Sequence, residues 1–429
     1  MKRIFYLFLI CSIAAKNASS QDLKPKKVSI FYGYVDQKGI TVIPYQFKEA
    51  SEFSEGLAKV VKGEKTGFID KTGKTVIPFE YDRAFDFSEG LAKVMLNGKA
   101  GFIDKKNQLV IPYSFRDAGS FKEGLAMAVN DKVGFIDKTG NVVIPYTYDS
   151  AKAFSEGLSS VSLNKKSGYI DKTGKTVIKF GYDRANAFSD GVAIVVVGGK
   201  FGVINKTGKL VVPMDYVVIY NFINGVTQAT KTGKIVNGEI EEAKWALIDK
   251  MGKALTDFKY DEIYAFEEGD LALVKIGDKY GYINRQGKEV VAVKYEGILG
   301  FRYGLSLVML ENKYGYIDYT GKVVIDLKYD DAREFSEGLA PVMIGDKYGF
   351  IDQTGKVIVP IKYEGTEGFS EGLASVQLDG KSGYINKEGK IIIPFKYKSA
   401  YPFTGGKALT FGFNEKHVYI DSKGNEVKQ

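Results

Sequence analysis

The sequence predicts an all-β repeat protein made of short antiparallel meanders, with one helical turn in each unit of about 34 residues. Three observations carry this reading. Two words, G-aromatic-I-D-K-T-G-K and F-S-E-G-L-A, return throughout the chain from Gly33 onward. Tyr and Phe number 28 each against a single Trp, an aromatic excess that favours strands over helices. Glycine is frequent, 49 residues against 10 Pro, which suits many tight turns and no Pro-rich linker. A unit of this length cannot bury its own apolar face, so its neighbours must bury it. The expected arrangement is an open solenoid-like array, with two propeller-like rings as the alternative.

Residues 81–112 illustrate one unit. Residues 91–95 alternate as a short strand, residues 97–99 turn, and residues 100–104 form a second strand. Residues 105–108 turn again, and residues 109–111 make a third strand closed by Pro112, which cannot donate to a ladder. In most copies the second turn reads Asp-Lys-Thr-Gly, as at Asp70 to Gly73. Such a turn uses the Asp carboxylate to hold its amides and the Gly for a left-handed residue, a type I turn with a G1 bulge. Residues 81–87 place apolar side chains three apart, which predicts one helical turn before Gly90 re-enters the next strand.

Aligned copies point to the core. Phe recurs at Phe53, Phe87, Phe121, Phe154 and onward to Phe403, Ile at Ile69, Ile103 and Ile136, and Tyr or Phe at Tyr81, Phe115 and Tyr148. Stacking turns such rows into continuous buried ladders. A further row, Phe68, Phe102, Phe135, Tyr169, Tyr282, Tyr316, Phe350 and Tyr384, lies on the opposite side of its strand from the Ile row. It is either a second core layer or an exposed aromatic stripe.

Regularity fails once, after Gly225, where extra residues carry Asn237-Gly238, the strongest two-residue hairpin signal. Residues 232–236 and 239–243 flank it, and the only Trp, Trp245, stands at its base. The division that follows is a signal peptide at 1–20, a lead at 21–29, a first sub-array at 30–236 and a second at 237–429. The first 20 residues carry basic Lys2 and Arg3, an apolar run to Ala15 and small residues before Gln21, the pattern of a secretory signal. That run is shorter than the roughly 20 residues a membrane span needs, so no transmembrane segment is expected. Cys11, the only cysteine, lies inside this segment; lipidation there lacks the small residue normally wanted just before the cysteine. The remaining chain has no cysteine and no disulfide, so packing must stabilise it.

Chemistry is sparse. One His, His417, leaves no cluster for metal binding or His-assisted nucleophilic catalysis, and no phosphate-binding Gly loop opens a helix. No cofactor is expected. Net charge of +8 over 429 residues reads as solubility rather than nucleic-acid binding. Acidic residues fall at repeating turn positions such as Glu55, Glu89, Glu123 and Glu156, a pattern that suits structure better than an active site.

These words resemble the bacterial WG (or KWG) repeat family, whose units read K-W-G-F-I-D-K-T-G-K-x-V-I-P and then F-S-E-G-L-A. The match spans nearly all of residues 30–424 in eleven to twelve copies. The family's Trp position is held instead by Thr66, Ala100, Val133, Ser167, Phe201, Tyr280, Tyr314, Tyr348 and Ser382, and Lys244-Trp245-Ala246 keeps the Trp without the Gly. The resemblance implies exported or surface proteins that mediate interactions, and no enzymatic activity. The expected function is therefore a secreted or surface scaffold contacting an unidentified protein or the cell envelope. The alternative is a carbohydrate or cell-wall module in which Tyr280, Tyr314 and Tyr348 stack on sugars, with Trp245, Asn237 and Gly238 as further surface candidates. A hydrolase using paired carboxylates, which would need two carboxyls ~5–9 Å apart in a cleft, is the remote third.

Overall fold

The structure is a computed structural model that describes residues 23–28, 31–36 and 41–427. The expected signal segment, with Cys11, lies outside the described residues. Within them ten four-stranded and two three-stranded antiparallel sheets follow one another, with one separate two-stranded hairpin. The chain divides into two compact units. One holds the residues up to Thr232 together with Ile248–Lys253, the other Gly233–Leu247 and the chain from Ala254 onward.

In the illustrative repeat the strands are Arg83–Ala84, Ala92–Leu96, Lys99–Ile103 and Leu109–Phe115, paired in chain order like the blade of a propeller. The expected helical turn is absent. Residues 82–85 instead extend along the second strand, with Arg83 opposite Met95 and Ala84 opposite Val94. The Asp82 and Phe85 amides also donate to that strand, at 3.0 and 2.9 Å. A six-residue segment is too short to nucleate a helix cheaply, whereas the neighbouring strand offers its backbone partners at once. The spacing of three between Tyr81, Ala84 and Phe87 arises from a bend at Asp82 rather than from helical pitch. Among the described residues the one helical piece is a 3-10 turn at Glu268–Asp270.

Pro112 does not close its strand either. It lies inside Leu109–Phe115, where the register slips between Phe102 opposite Ile111 and Ala100 opposite Phe115. Pro is tolerated there because this is the edge strand and the slip is a bulge, so no ladder bond is lost. The bulge also explains the recurring Gly. A Cβ on Gly101 would come 2.7 Å from the Ile111 carbonyl oxygen, and one on Gly281 would meet Val291 O at 2.5 Å and Val293 N at 2.8 Å. The two copies that replace this Gly, with Ala246 and Val418, are those without a bulged seven-residue partner. Around Ala246 the bonds are a single bridge from Trp245 to Tyr260 and the Leu255 amide to Leu247 O. Val418 precedes a two-residue partner strand, Glu426–Val427.

Both faces of the middle strands are buried, because successive sheets within a unit pack against one another. Ile103 packs with Phe68, Ile77 and Tyr81 of the preceding repeat, while Phe102 packs with Phe115 of its own sheet and with Phe121 and Ile136 of the following one. The row whose side was open in the sequence is thus the second core layer, since all eight of its rings are buried. Each meets a Phe of the F-S-E-G word edge-on or tilted, as Phe102 meets Phe121 at 4.9 Å and Tyr169 meets Phe188 at 4.8 Å. Where the row carries Tyr, its hydroxyl donates to a carbonyl in the next repeat's linker, as Tyr169 does to Asn186 O at 2.7 Å and Tyr316 to Arg333 O at 2.7 Å.

Candidate functional site

The recurring polar residues are largely spent on joining repeats. Ser88-Glu89-Gly90-Leu91 is a two-residue hairpin turn with both central residues left-handed, Glu89 at φ 55° and Gly90 at 89°. Its Ser Oγ donates to Phe121 O of the next repeat at 2.7 Å. The Glu89 carboxylate accepts from the Gly124 amide at 3.0 Å and pairs with Lys138 at 3.1 Å. The same three bonds recur from Ser54 and Glu55, from Ser155 and Glu156, and from Ser336 and Glu337. Burial pushes the Glu89 carboxyl up, but the bonds from Lys138 and the Gly124 amide outweigh it and the net shift is down. Glu89→Ala is expected to cost about 1 kcal/mol, the net worth of a partly exposed charge-assisted bond. Hydrogen exchange at the Gly124 amide checks this.

The Asp-Lys-Thr-Gly turns behave as their sequence predicts. Asp70 Oδ1 accepts from the Thr72 amide at 2.9 Å, the Thr72 hydroxyl at 2.6 Å and the Lys74 amide at 3.1 Å, while Gly73 has φ 85°. The Thr hydroxyl bond is the main cause that holds Asp70, Asp137, Asp171, Asp318 and Asp352 below the ordinary aspartate value. A carboxylate depressed in the folded state stabilises fully above its unfolded pKa and loses that contribution as pH falls through the folded one. The melting temperature should therefore be level above about pH 5 and fall progressively below about pH 4. A pH series of thermal melts checks it, and a maximum below pH 4 would contradict it.

The expected surface residues are dispersed. The rings of Tyr280 and Tyr314 are half-buried against core clusters, and Tyr348 is half-buried with its hydroxyl on Asp331 Oδ2 at 2.6 Å. Trp245 is buried in the strand Trp245–Asp249. Asn237 and Gly238, with φ 52° and 88°, form the turn of an isolated hairpin that pairs Lys234–Val236 with Glu239–Glu241. His417 is exposed, beside Phe411.

One feature escaped the sequence reading. In the first unit a hollow of about 350 Å³ opens at the turn Ser189-Asp190-Gly191, lined by Lys152, Asn186, Ser189, Asn221 and, beneath them, Phe188 and Phe222. At this seam the staples fail. Ser189 makes no bond to the Phe222 carbonyl, and Asp190, one methylene shorter than the Glu of other copies, does not reach the Gly225 amide. Small Ala187, in the lining, stands where some other copies have Glu52, Asp86, Asn221 or Glu334. The departure from Glu to Asp at position 190 was the legible signal. Asp190→Glu should restore the bond to Gly225 and stabilise by about 1 kcal/mol, read as a raised melting temperature.

Stacked antiparallel sheets stapled through their turn words define a β-repeat protein. WG containing repeats match residues 32–65, 67–99, 101–132, 134–166, 168–201, 201–234, 245–280, 280–314, 314–348, 348–381 and 383–410, and the chain belongs to that family. No curated protein matches the sequence. Among solved structures, a eukaryotic initiation factor is similar over 71% of this chain and 95% of its own at 11% identity, TM-score 0.45. PorZ, a surface component of the type-IX secretion system of Porphyromonas gingivalis, is similar over 93% of this chain and 72% of its own at 9% identity, TM-score 0.26. BamB from Moraxella catarrhalis is similar over 95% of this chain and 93% of its own at 12% identity, TM-score 0.25.

Proposed function

We propose that this protein is an exported, non-enzymatic scaffold that presents a repeated surface to another protein of the cell envelope. One observation carries the reading. The second residues of several edge strands leave aliphatic side chains in solvent, among them Val76, Val110, Val143 and Val177 in the first unit and Val324 and Ile392 in the second. Single exposed aliphatics are ordinary, but a row renewed over four successive repeats of the first unit is an apolar surface available for association. The Pro and the bulge in the same strands oppose partner binding by strand addition, so the contact is made through side chains. The recurring acids and hydroxyls are committed to turns and staples, which supports a scaffold rather than a catalyst.

The test is photo-crosslinking in cells from Val143, with Asn237 as a second position, after fractionation of the full-length chain. A discrete crosslinked envelope protein at Val143, lost in a Val110→Lys/Val177→Lys variant, is expected. A chain retained in the cytoplasm, or crosslinks unaffected by the lysines, would overturn the reading.

A further inference from the structure

We infer that the hollow of the first unit is a binding site for an acidic sugar, with Lys152 taking the carboxylate and Asn186, Ser189 and Asn221 the ring hydroxyls. The charge on this face is unanswered. Lys152 Nζ donates to Asn186 Oδ1 at 2.8 Å, and no carboxylate belongs to the lining. Two other cations of the repeats do have an acid. Arg333 occupies the position of Lys152 in the second unit, and one repeat further on Glu367 lies 3.4 Å from it. Lys93 is held by Asp117 at 3.0 Å and by Ala118 O at 2.7 Å. One repeat after Lys152 the chain supplies Asn186, which is neutral. Desolvation, and after it the positive charge of Arg184, draws the Lys152 ammonium below the ordinary lysine value. A ligand carboxylate would offset the repulsion from Arg184 and pair with the ammonium.

The rest of the lining selects among anions. Asn186 passes a hydrogen bond on to Asn221 Oδ1 at 3.3 Å, which fixes the exposed Asn221 amide at the edge of the hollow as a further donor. Ser189 keeps a hydroxyl that its counterparts Ser88 and Ser155 spend on the next repeat. Amides and a hydroxyl arranged around one ammonium suit a polyhydroxylated carboxylate better than a bare anion or an apolar acid. The volume falls at the lower end of small-molecule sites, enough for one sugar unit of a longer chain whose ends remain in solvent. The inference goes beyond the proposed scaffold contact and uses other residues, so the Val110→Lys/Val177→Lys variant leaves it intact.

Calorimetric titration of the full chain with a galacturonic acid disaccharide, beside its carboxyl-reduced neutral counterpart, tests the site. Binding of the acid alone is expected, weakening with added salt. Asn186→Asp places in this seam the carboxylate that Glu367 supplies to Arg333, and should weaken binding about tenfold or more while the melting temperature holds. Lys152→Met should do the same by removing the ammonium. Undetectable binding by the native chain, equal affinity for the neutral disaccharide, equal affinity in the Asn186→Asp variant, or tighter binding of a triglutamate peptide would each overturn the assignment. Crosslinking at Val143 is unaffected by any of these results, so failure here and failure of the scaffold reading are separable.

Discussion

Gly281→Ala is expected to destabilise its repeat by about 3 kcal/mol or more, at the upper end of the cost of overpacking. The added methyl group would meet three backbone atoms, Val291 O at 2.5 Å, Ala292 C at 2.9 Å and Val293 N at 2.8 Å. A flexible side chain could swing aside, but a bulged strand cannot. It is held by Tyr280 opposite Tyr295 and Tyr282 opposite Val291, and giving way would unpair both and expose Tyr282. The control is Gly181→Ala. Gly181 lies exposed in the edge strand Thr176–Tyr182, has no neighbour within 4 Å of a Cβ, and does not need a positive φ. That change should fall within about 0.5 kcal/mol of neutral. Hydrogen exchange of the strands Lys279–Asn284 and Glu289–Tyr295 reads the first effect locally, as suits a chain whose repeats each contact mainly their neighbours. Equal protection in the two variants would refute the backbone explanation.

Phe121→Ala is the second large effect, expected to cost about 3 to 5 kcal/mol as a buried aromatic truncation. Phe121 is fully buried, edge-on to Phe102 at 4.9 Å, and shares a cluster with Leu91, Phe115 and Ile136. These residues come from two successive repeats, so the cavity would loosen the interface and not a single sheet. Protection should therefore fall both in Lys99–Ile103 and in Val133–Ile136, while sheets several repeats away keep theirs. Loss confined to one sheet would contradict the stacked core.

The local chemistry was readable wherever one segment contains all its partners. Asp70, Thr72 and Gly73 close their turn within five residues, and Asn237-Gly238 closes its hairpin with its own flanks. The segment 82–87 was misread because its three-residue apolar spacing fits either a helical turn or a bent strand. The partner that decides, the strand Ala92–Leu96, is joined to it only through the tight turn at Glu89. The side taken by Phe102 was also undecided, because alternation tells which residues share a face and not which faces are covered. The staples lay further out of reach, since Ser88 meets a carbonyl 33 residues away and Lys105 meets Glu55 across 50.

Its sequence alone determined that this chain is a β-repeat protein, which turns it uses, and which Phe, Ile and Tyr rows form its core. Periodicity and turn chemistry are local, and each copy repeats the same statement. Only the tertiary structure decided that Glu and Ser of the F-S-E-G word bind the next repeat, and that Gly is demanded by a bulge. It alone revealed that the seam with Asp190 in place of Glu lacks its staple and carries a hollow beside Lys152. These depend on distances between backbones that are remote in sequence, where one methylene separates a stapled seam from an unstapled one.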